Sequence, residues 1–136
     1  MSTKAGAPRK AARVLIVDDS PLALHLLQSA LEHAHYDVVT ATSVNDAFEK
    51  VAESRPDVVV TDGVMPGADG LALVRRLREQ PATKQIPVIM VTASEPSESQ
   101  RERTGPLPDA FVRKAANLEP LLVALSATLE RSRKPL

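Results

Sequence analysis

The chain has 136 residues, of which 43% are hydrophobic and 25% are charged. These values indicate one globular domain with a substantial core. Lys and Arg number 17, as do Asp and Glu, so the net charge of +0 gives no general electrostatic reason to bind nucleic acid or an anionic membrane. The absence of cysteine excludes disulfides and thiolate chemistry. Because no signal-peptide pattern or membrane-length apolar run is present, we predict a cytoplasmic location.

Basic residues gather at both ends of the chain. Residues 1–12 are small, polar and basic, which predicts a disordered tail. Residues 131–136 carry a second basic group and are predicted to form another tail. The folded domain is therefore expected to cover residues 13–130.

The domain begins with two units in which a strand precedes a helix. An apolar strand is predicted at residues 13–17, and Ser20 and Pro21 then suit the N-cap and first position of a helix. The second strand is predicted at residues 36–41, and a second helix runs from a Ser43 cap to Glu53. The inward stripe of the first helix is predicted at Leu22, Leu26, Leu27, Ala30 and Leu31.

Three more strands follow the same alternation. They are predicted at residues 57–61, 86–91 and 110–112. A Pro- and Gly-containing turn at residues 63–69 leads into a third helix, and a last helix is predicted at residues 118–129. Strands that alternate with helices and are apolar throughout predict an α/β fold with a parallel sheet covered on both faces.

The fourth helix is the weak element of this pattern. Residues 97–104 contain no apolar side chain, and Pro106 and Pro108 follow closely. We therefore expect a short or irregular helix that is exposed and locally labile. Our hypothesis is that activation of the domain orders residues 97–108.

Polar side chains follow the predicted strands where each strand ends. Asp18 and Asp19 come after the first strand, and Asp62 closes the third. Thr92 follows the fourth strand and Lys114 follows the fifth. In an open α/β sheet, ligands bind beyond the carboxyl ends of the strands, so we expect these side chains to converge.

The chemistry of this set points to phosphoryl transfer. Three carboxylates at close range repel one another, and Mg²⁺ is a cation that prefers such oxygen ligands. An aspartate can act as a nucleophile and form an aspartyl phosphate. Thr92 and Lys114 would then bind phosphoryl oxygens, as a hydroxyl donor and a point charge.

The sequence resembles the receiver domains of two-component response regulators over about residues 13–130. The motifs that carry the resemblance are Val-Asp-Asp-Ser at 17–20, Thr-Asp-Gly-Val-Met-Pro-Gly-Ala-Asp-Gly at 61–70, Val-Thr-Ala-Ser at 91–94 and Phe-Val-Arg-Lys at 111–114. The resemblance implies a doubly wound, flavodoxin-like sheet in strand order 2-1-3-4-5. It also implies a phospho-accepting signalling domain rather than an enzyme.

The resemblance further assigns roles to single residues. Asp62 resembles the phosphoacceptor, and Lys114 resembles the lysine that binds a phosphoryl oxygen. Thr92 and Phe111 resemble the switch hydroxyl and the aromatic switch residue. Mg²⁺ would be held by Asp19 directly, by Asp18 largely through water, by Asp62 and by the backbone carbonyl of Val64.

The implied partners are a sensor histidine kinase or histidine phosphotransfer protein as donor and an unknown downstream protein. No DNA-binding element is visible. One departure from the family pattern follows Lys114, where Ala115 replaces the usual proline. A cis peptide bond to a residue other than proline costs about 3 kcal/mol, so we expect the Lys114–Ala115 bond to be trans.

The sequence features also bear on three alternative functions. A phosphorylation-independent pseudo-receiver that serves as an interaction module is the main alternative, and the complete acidic set argues against it. A phosphatase of the haloacid dehalogenase type needs a second Asp two residues after the nucleophile, where Val64 stands. Dinucleotide binding requires a glycine-rich turn after the first strand, where Asp18 and Asp19 stand.

Overall fold

The computed structural model describes residues 11–65, 68–92, 108–114 and 117–133. The five main strands are β1 (Arg13–Val17), β2 (Asp37–Ala41), β3 (Val58–Asp62), β4 (Val88–Thr92) and β5 (Ala110–Arg113). They form one parallel sheet in the order β2-β1-β3-β4-β5. The predicted doubly wound topology is confirmed.

Helices cover both faces of this sheet. In the described part of the chain they are α1 (Pro21–His33), α2 (Val44–Ser54), α3 (Gly70–Arg78) and a C-terminal helix (Glu119–Arg133). Ser20 caps α1, because its hydroxyl accepts a hydrogen bond from the Ala23 N–H at 3.2 Å. Ser43 caps α2 in the same way. Within the described residues, no helix is long and apolar enough to span a bilayer.

The core has two halves, one on each side of the sheet. Between the sheet, α1 and the C-terminal helix lie Val14, Ile16, Leu24, Leu31, Val58, Val60, Ile89, Val112, Leu121, Leu125 and Leu129. Between the sheet, α2 and α3 lie Leu15, Val17, Ala41, Val44, Ala47, Val51, Val59, Leu73, Val74, Leu77, Val88 and Met90. Because the central strands are buried on both faces, they read as continuous apolar runs.

The inward stripe of α1 differs from the prediction. Leu24 and Leu31 are buried and Leu27 packs against the core, whereas Leu22 and Leu26 remain 68% and 58% exposed. Leucines occupy several sides of this helix, so two stripes fit a 3.6-residue period equally well. Packing against the sheet selects one stripe and leaves the other in solvent.

Several element boundaries also differ from the prediction. The C-terminal helix continues to Arg133, so the first three residues of the predicted tail at 131–136 are helical. β4 begins at Val88 rather than at residue 86, with Pro87 before it. The segment predicted as a turn at 63–69 contains a short antiparallel pair, Val64–Met65 with Ala68–Asp69.

Some predictions concern parts of the chain outside the described residues. These are the conformation of residues 1–10, the short fourth helix at 97–104 with its hypothesised ordering up to residue 107, and the Lys114–Ala115 bond. Residues 11 and 12 of the predicted N-terminal tail are described. The Ala12 carbonyl accepts a hydrogen bond from the Asp37 N–H at 2.9 Å, so this end of the tail already joins the sheet.

Candidate functional site

The order of the strands brings the predicted site residues to one edge of the sheet. β1, β3, β4 and β5 are consecutive neighbours, and their carboxyl ends form what we call the carboxyl edge. In the register of the sheet, Asp62 lies opposite Val91, and Thr92 lies opposite Arg113. The chain leaves β1 for β2 on one side, and β3 lies on the other side. The topological switch point is therefore at β1 and β3.

Three carboxylates meet at this switch point. Ligand atoms of Asp18, Asp19 and Asp62 all lie within 4.8 Å of one another. Asp18 and Asp62 are only 7% and 9% exposed, whereas Asp19 is exposed. The Asp18 carboxylate is fixed by the Ser20 N–H, which donates to its Oδ1 at 2.9 Å. The predicted acidic cluster is thus present and preorganised.

The environment of Asp18 disfavours its charge. Burial raises the pKa of Asp18 above its ordinary value, and the hydrogen bond from Ser20 lowers it in part. The charges of Asp62 and Asp19 raise this pKa further, and Lys114 lowers it. Repulsion between carboxylates is therefore a real component of the site, and a bound cation would relieve it.

Lys114 provides a positive charge next to Asp62. Its Nζ lies 3.3 Å from Asp62 Oδ1, and its side chain is half exposed. The backbone holds it there, because the Lys114 N–H donates to the Thr92 carbonyl at 2.8 Å directly after β5. Thr92 itself is buried at the end of β4. Lys114 thus supplies the positive charge of the site, next to Asp62.

Phe111 lies on the sheet face that packs against α2 and α3. It is half-buried, contacts the core on that face, and pairs in β5 with Met90 of β4. Thr92 is two residues beyond Met90 in the same strand and therefore faces the same side. The predicted switch residues Thr92 and Phe111 share one face of neighbouring strands.

Two glycines, Gly63 and Gly70, shape the loop between Asp62 and α3, and no role was predicted for either. A Cβ at Gly70 would lie 2.6 Å from the Asp62 carbonyl oxygen and 2.8 Å from Met90 Cε. The Gly70 N–H also donates to the Gly63 carbonyl at 3.3 Å, which closes the loop between Asp62 and α3. A glycine at the start of a helix was the available signal, because glycine permits such close backbone approach.

The donor set fits a hard divalent cation. All three side chains offer carboxylate oxygens, and the exposed Asp19 leaves room for water ligands. Among the described residues, this is the His, Cys, Asp and Glu group that could hold a metal ion. Val64 lies two residues beyond Asp62 at the start of the short antiparallel pair.

Comparison with known proteins identifies the class. The sequence matches the family described as "Response regulator receiver domain" over residues 14–126. The chain therefore belongs to the response regulator receiver domain family, and its function is that of a receiver in phosphorylation-based two-component signalling. Receiver domains are signalling domains rather than classical enzymes, and they bind Mg²⁺ in an acidic pocket. A pseudo-receiver role is not favoured.

Individual relatives support this membership. The chain is 30% identical to the phosphate regulon transcriptional regulatory protein PhoB of Pseudomonas aeruginosa over 119 residues, covering 88% of this chain and 52% of that protein. It is 40% identical to Protein PilH of the same organism over 84 residues, covering 62% and 69%. The match to response regulator PleD of Caulobacter vibrioides covers only 18% of that longer protein. The chain thus corresponds to part of several of these relatives.

Solved structures agree with the fold. Chemotaxis protein CheY4 of Vibrio cholerae aligns with a TM-score of 0.77 at 31% identity, covering 86% of this chain and 98% of that one. Response regulator TrrA of Thermotoga maritima, solved in complex with Mg²⁺ and BeF, aligns with a TM-score of 0.74 at 28% identity, covering 85% and 97%.

Proposed function

We propose that Asp62 accepts the phosphoryl group and that Thr92 and Lys114 bind its oxygens. The observation that supports this proposal is the position of the Asp62 carboxylate relative to the charged groups around it. Its buried carboxylate stands between two other carboxylates and the Lys114 ammonium, which is 3.3 Å away. A nucleophile with cation sites on both sides can attack a phosphoryl group whose negative charge is then neutralised.

The proposed step is an in-line transfer from a phosphohistidine. A carboxylate oxygen of Asp62 attacks the phosphorus, an O–P bond forms, and the P–N bond to the donor imidazole breaks. The released imidazole nitrogen takes up a proton. The Lys114 ammonium and the Thr92 hydroxyl are the groups of this chain that would hold the phosphoryl oxygens, and Phe111 would report the movement of Thr92 to the α2–α3 side.

Asp18, Asp19, Asp62 and the Val64 carbonyl are proposed to hold Mg²⁺. When bound, the ion would neutralise charge on the carboxylates and on the incoming phosphoryl group. The Mg²⁺ and BeF in the TrrA structure support this assignment, because that protein shares the fold of this chain. Asp18 is positioned by Ser20 for the less exposed role, and Asp19 points to the open side.

Acetyl phosphate with Mg²⁺ tests the acceptor assignment directly. Intact mass should show one added phosphoryl group on the wild type and none on Asp62→Asn. The adduct should be acid-stable and base-labile, as an acyl phosphate is. Asp57→Asn is a matched control, because Asp57 lies at the opposite edge of the sheet, and it should label normally. Equal labelling of the wild type and Asp62→Asn would contradict the proposal.

The exposed leucines of α1 are the proposed contact for the protein donor. Leu26 is 58% exposed and lines the same cavity of about 510 Å³ as Asp62. Leu22, one turn earlier on the helix, is also exposed. A protein whose phosphohistidine reaches Asp62 from this side would bring its own surface against these leucines. A small donor such as acetyl phosphate needs no such contact.

This difference between donors provides the test. Leu26→Asn should lower the rate of labelling from an autophosphorylated histidine kinase by about tenfold, and labelling by acetyl phosphate should stay unchanged. The kinase used for this test is the one that phosphorylates the wild type fastest among a panel of purified histidine kinases. Val123→Asn is the matched control, because Val123 is equally exposed at 58% on the C-terminal helix but does not line the cavity. Equal effects of the two substitutions would exclude α1 as the donor contact.

A further inference from the structure

Gly63 follows the proposed acceptor and lies against Thr92. A Cβ at position 63 would be 3.2 Å from both Thr92 Cβ and Thr92 Oγ1, and 3.5 Å from Met90 Sδ. The first two distances are shorter than ordinary van der Waals contact. The Thr92 hydroxyl therefore occupies space that is open only because residue 63 has no side chain.

The backbone on both sides of this contact is fixed. The Gly63 N–H donates to the Val91 carbonyl at 3.0 Å, and the Gly63 carbonyl accepts from Gly70 at 3.3 Å. The Thr92 carbonyl accepts from Lys114 at 2.8 Å, and Thr92 pairs with Arg113 in the sheet. Neither backbone can retreat without losing hydrogen bonds. A side chain at residue 63 would have to be accommodated by rotation of Thr92 or by strain.

We infer that Gly63 is a positioning residue, which sets the orientations open to the Thr92 hydroxyl and through it the binding of a phosphoryl group at Asp62. This inference rests on the proposed role of Thr92. The Cβ of Thr92 does not move when its χ1 angle rotates, whereas Oγ1 does. Of the two close contacts, only the one to Oγ1 can therefore alter the site, and the one to Cβ affects stability alone.

A double-mutant cycle separates these two contacts. The affinity for beryllofluoride at saturating Mg²⁺ is measured by NMR titration for the wild type, Gly63→Ala, Thr92→Ala and the double variant. Gly63→Ala should change the affinity by about threefold to tenfold, which is the range that an off-rotamer hydroxyl implies. In the Thr92→Ala background the same substitution should have no effect on affinity. It should still lower the melting temperature there, because the contact to Cβ remains.

The outcomes distinguish the inference from the function on which it rests. If Thr92→Ala alters the affinity but Gly63→Ala does not, or if Gly63→Ala acts equally in both backgrounds, the positioning role is wrong. If Thr92→Ala binds like the wild type, the role of Thr92 in the proposed function fails as well. Should Gly63→Ala not fold, the wild type still provides a test. Nuclear Overhauser effects should connect the Gly63 α protons with the Thr92 β proton, and their absence would overturn the inference.

Discussion

Charged residues lie at both edges of the sheet, but the charges that surround them differ between the two edges. At the start of the strands, which we call the amino edge, the Arg13 guanidinium contacts Asp37 at 2.8 Å and donates to the Ser54 carbonyl at 2.6 Å. The backbone N–H of Arg13 donates to the Asp57 carboxylate at 2.7 Å. These contacts link β1 with β2, the end of α2 and the start of β3.

The carboxyl edge instead keeps like charges together. Its three carboxylates lie within 4.8 Å of one another, and Lys114 contacts Asp62 at the longer distance of 3.3 Å. The pKa of Asp18 is raised there, chiefly by burial and further by the charges of Asp62 and Asp19. Opposite charges that are paired within the fold indicate a structural role. Like charges that are held close together despite their repulsion indicate a ligand-binding site. The comparison predicts that substitutions at the two edges have opposite consequences.

Substitution of the basic residue at each edge, Lys114 or Arg13, should show the largest difference between the two edges. Lys114→Ala should slow labelling by acetyl phosphate by about 100-fold, because a preorganised charge on the phosphoryl oxygens is lost. Its effect on stability should be small, since the side chain is half exposed. Arg13→Ala should do the reverse and lower the free energy of unfolding by about 1 kcal/mol without slowing labelling. Mass spectrometry and urea unfolding measure the two quantities, and similar profiles for both variants would break the comparison.

Backbone requirements also differ between the edges. Gly70→Ala should destabilise the protein by about 2 kcal/mol, because its Cβ would meet the Asp62 carbonyl at 2.6 Å and backbone cannot yield as a side chain does. Arg55, at the amino edge, has a φ of 49° at the end of α2. Glycine adopts this left-handed conformation without strain, so Arg55→Gly should stabilise the protein by up to about 1 kcal/mol. Urea unfolding measures both, and a neutral Gly70→Ala would argue against the close approach.

Substitution of one exposed aspartate at each edge, Asp19 or Asp37, should change the stability of the metal-free protein in opposite directions. Asp19→Ala should lower Mg²⁺ affinity at least about tenfold and should raise the melting temperature without metal, because it relieves repulsion. Asp37→Ala should lower the melting temperature by the loss of its contact with Arg13, worth about 0.5 kcal/mol at this exposure. Calorimetric titration and thermal unfolding in EDTA are the measurements. Full Mg²⁺ affinity in Asp19→Ala would contradict the ligand role.

The sequence predicted the sheet well because its signals are redundant there. Strands buried on both faces must be apolar throughout, and four chain segments end in polar residues at one edge once the strand order is known. The convergence of Asp18, Asp19, Asp62, Thr92 and Lys114 therefore followed from topology alone. Their roles in phosphoryl transfer and metal binding remain proposals.

The features that escaped prediction depend on choices that a linear pattern leaves open. α1 offers more leucines than one face can bury, so the sequence could not tell that Leu22 and Leu26 stay exposed. The basic composition after residue 130 resembled a tail, yet basic residues also suit the end of a helix, where Arg131 lies. The roles of Gly63 and Gly70 depend on close approaches to β4 and β3, at 3.2 Å and 2.6 Å for an added Cβ, which the linear sequence does not show.

The pH dependence of the free energy of unfolding should also differ between substitutions at the two edges. This is the smallest of the expected effects. Because the folded pKa of Asp18 is raised, chiefly by burial, the folded protein binds more protons than the unfolded chain between the ordinary and the raised value. Ionised Asp18 therefore destabilises the metal-free protein at neutral pH. This cost disappears as the pH falls through the raised pKa toward the ordinary value of about 3.9.

Asp18→Asn removes this titration while its amide oxygen can still accept from the Ser20 N–H. In EDTA the variant should be more stable than the wild type at pH 7, and the difference should shrink as the pH is lowered to about 4. Asp57→Asn should instead be less stable than the wild type at pH 7, since an amide accepts the Arg13 N–H more weakly than a carboxylate does. Urea unfolding at both pH values measures these differences. If Asp18→Asn lost stability at pH 7, the carboxyl edge would be a paired structural network like the amino edge, and the distinction between them would fail.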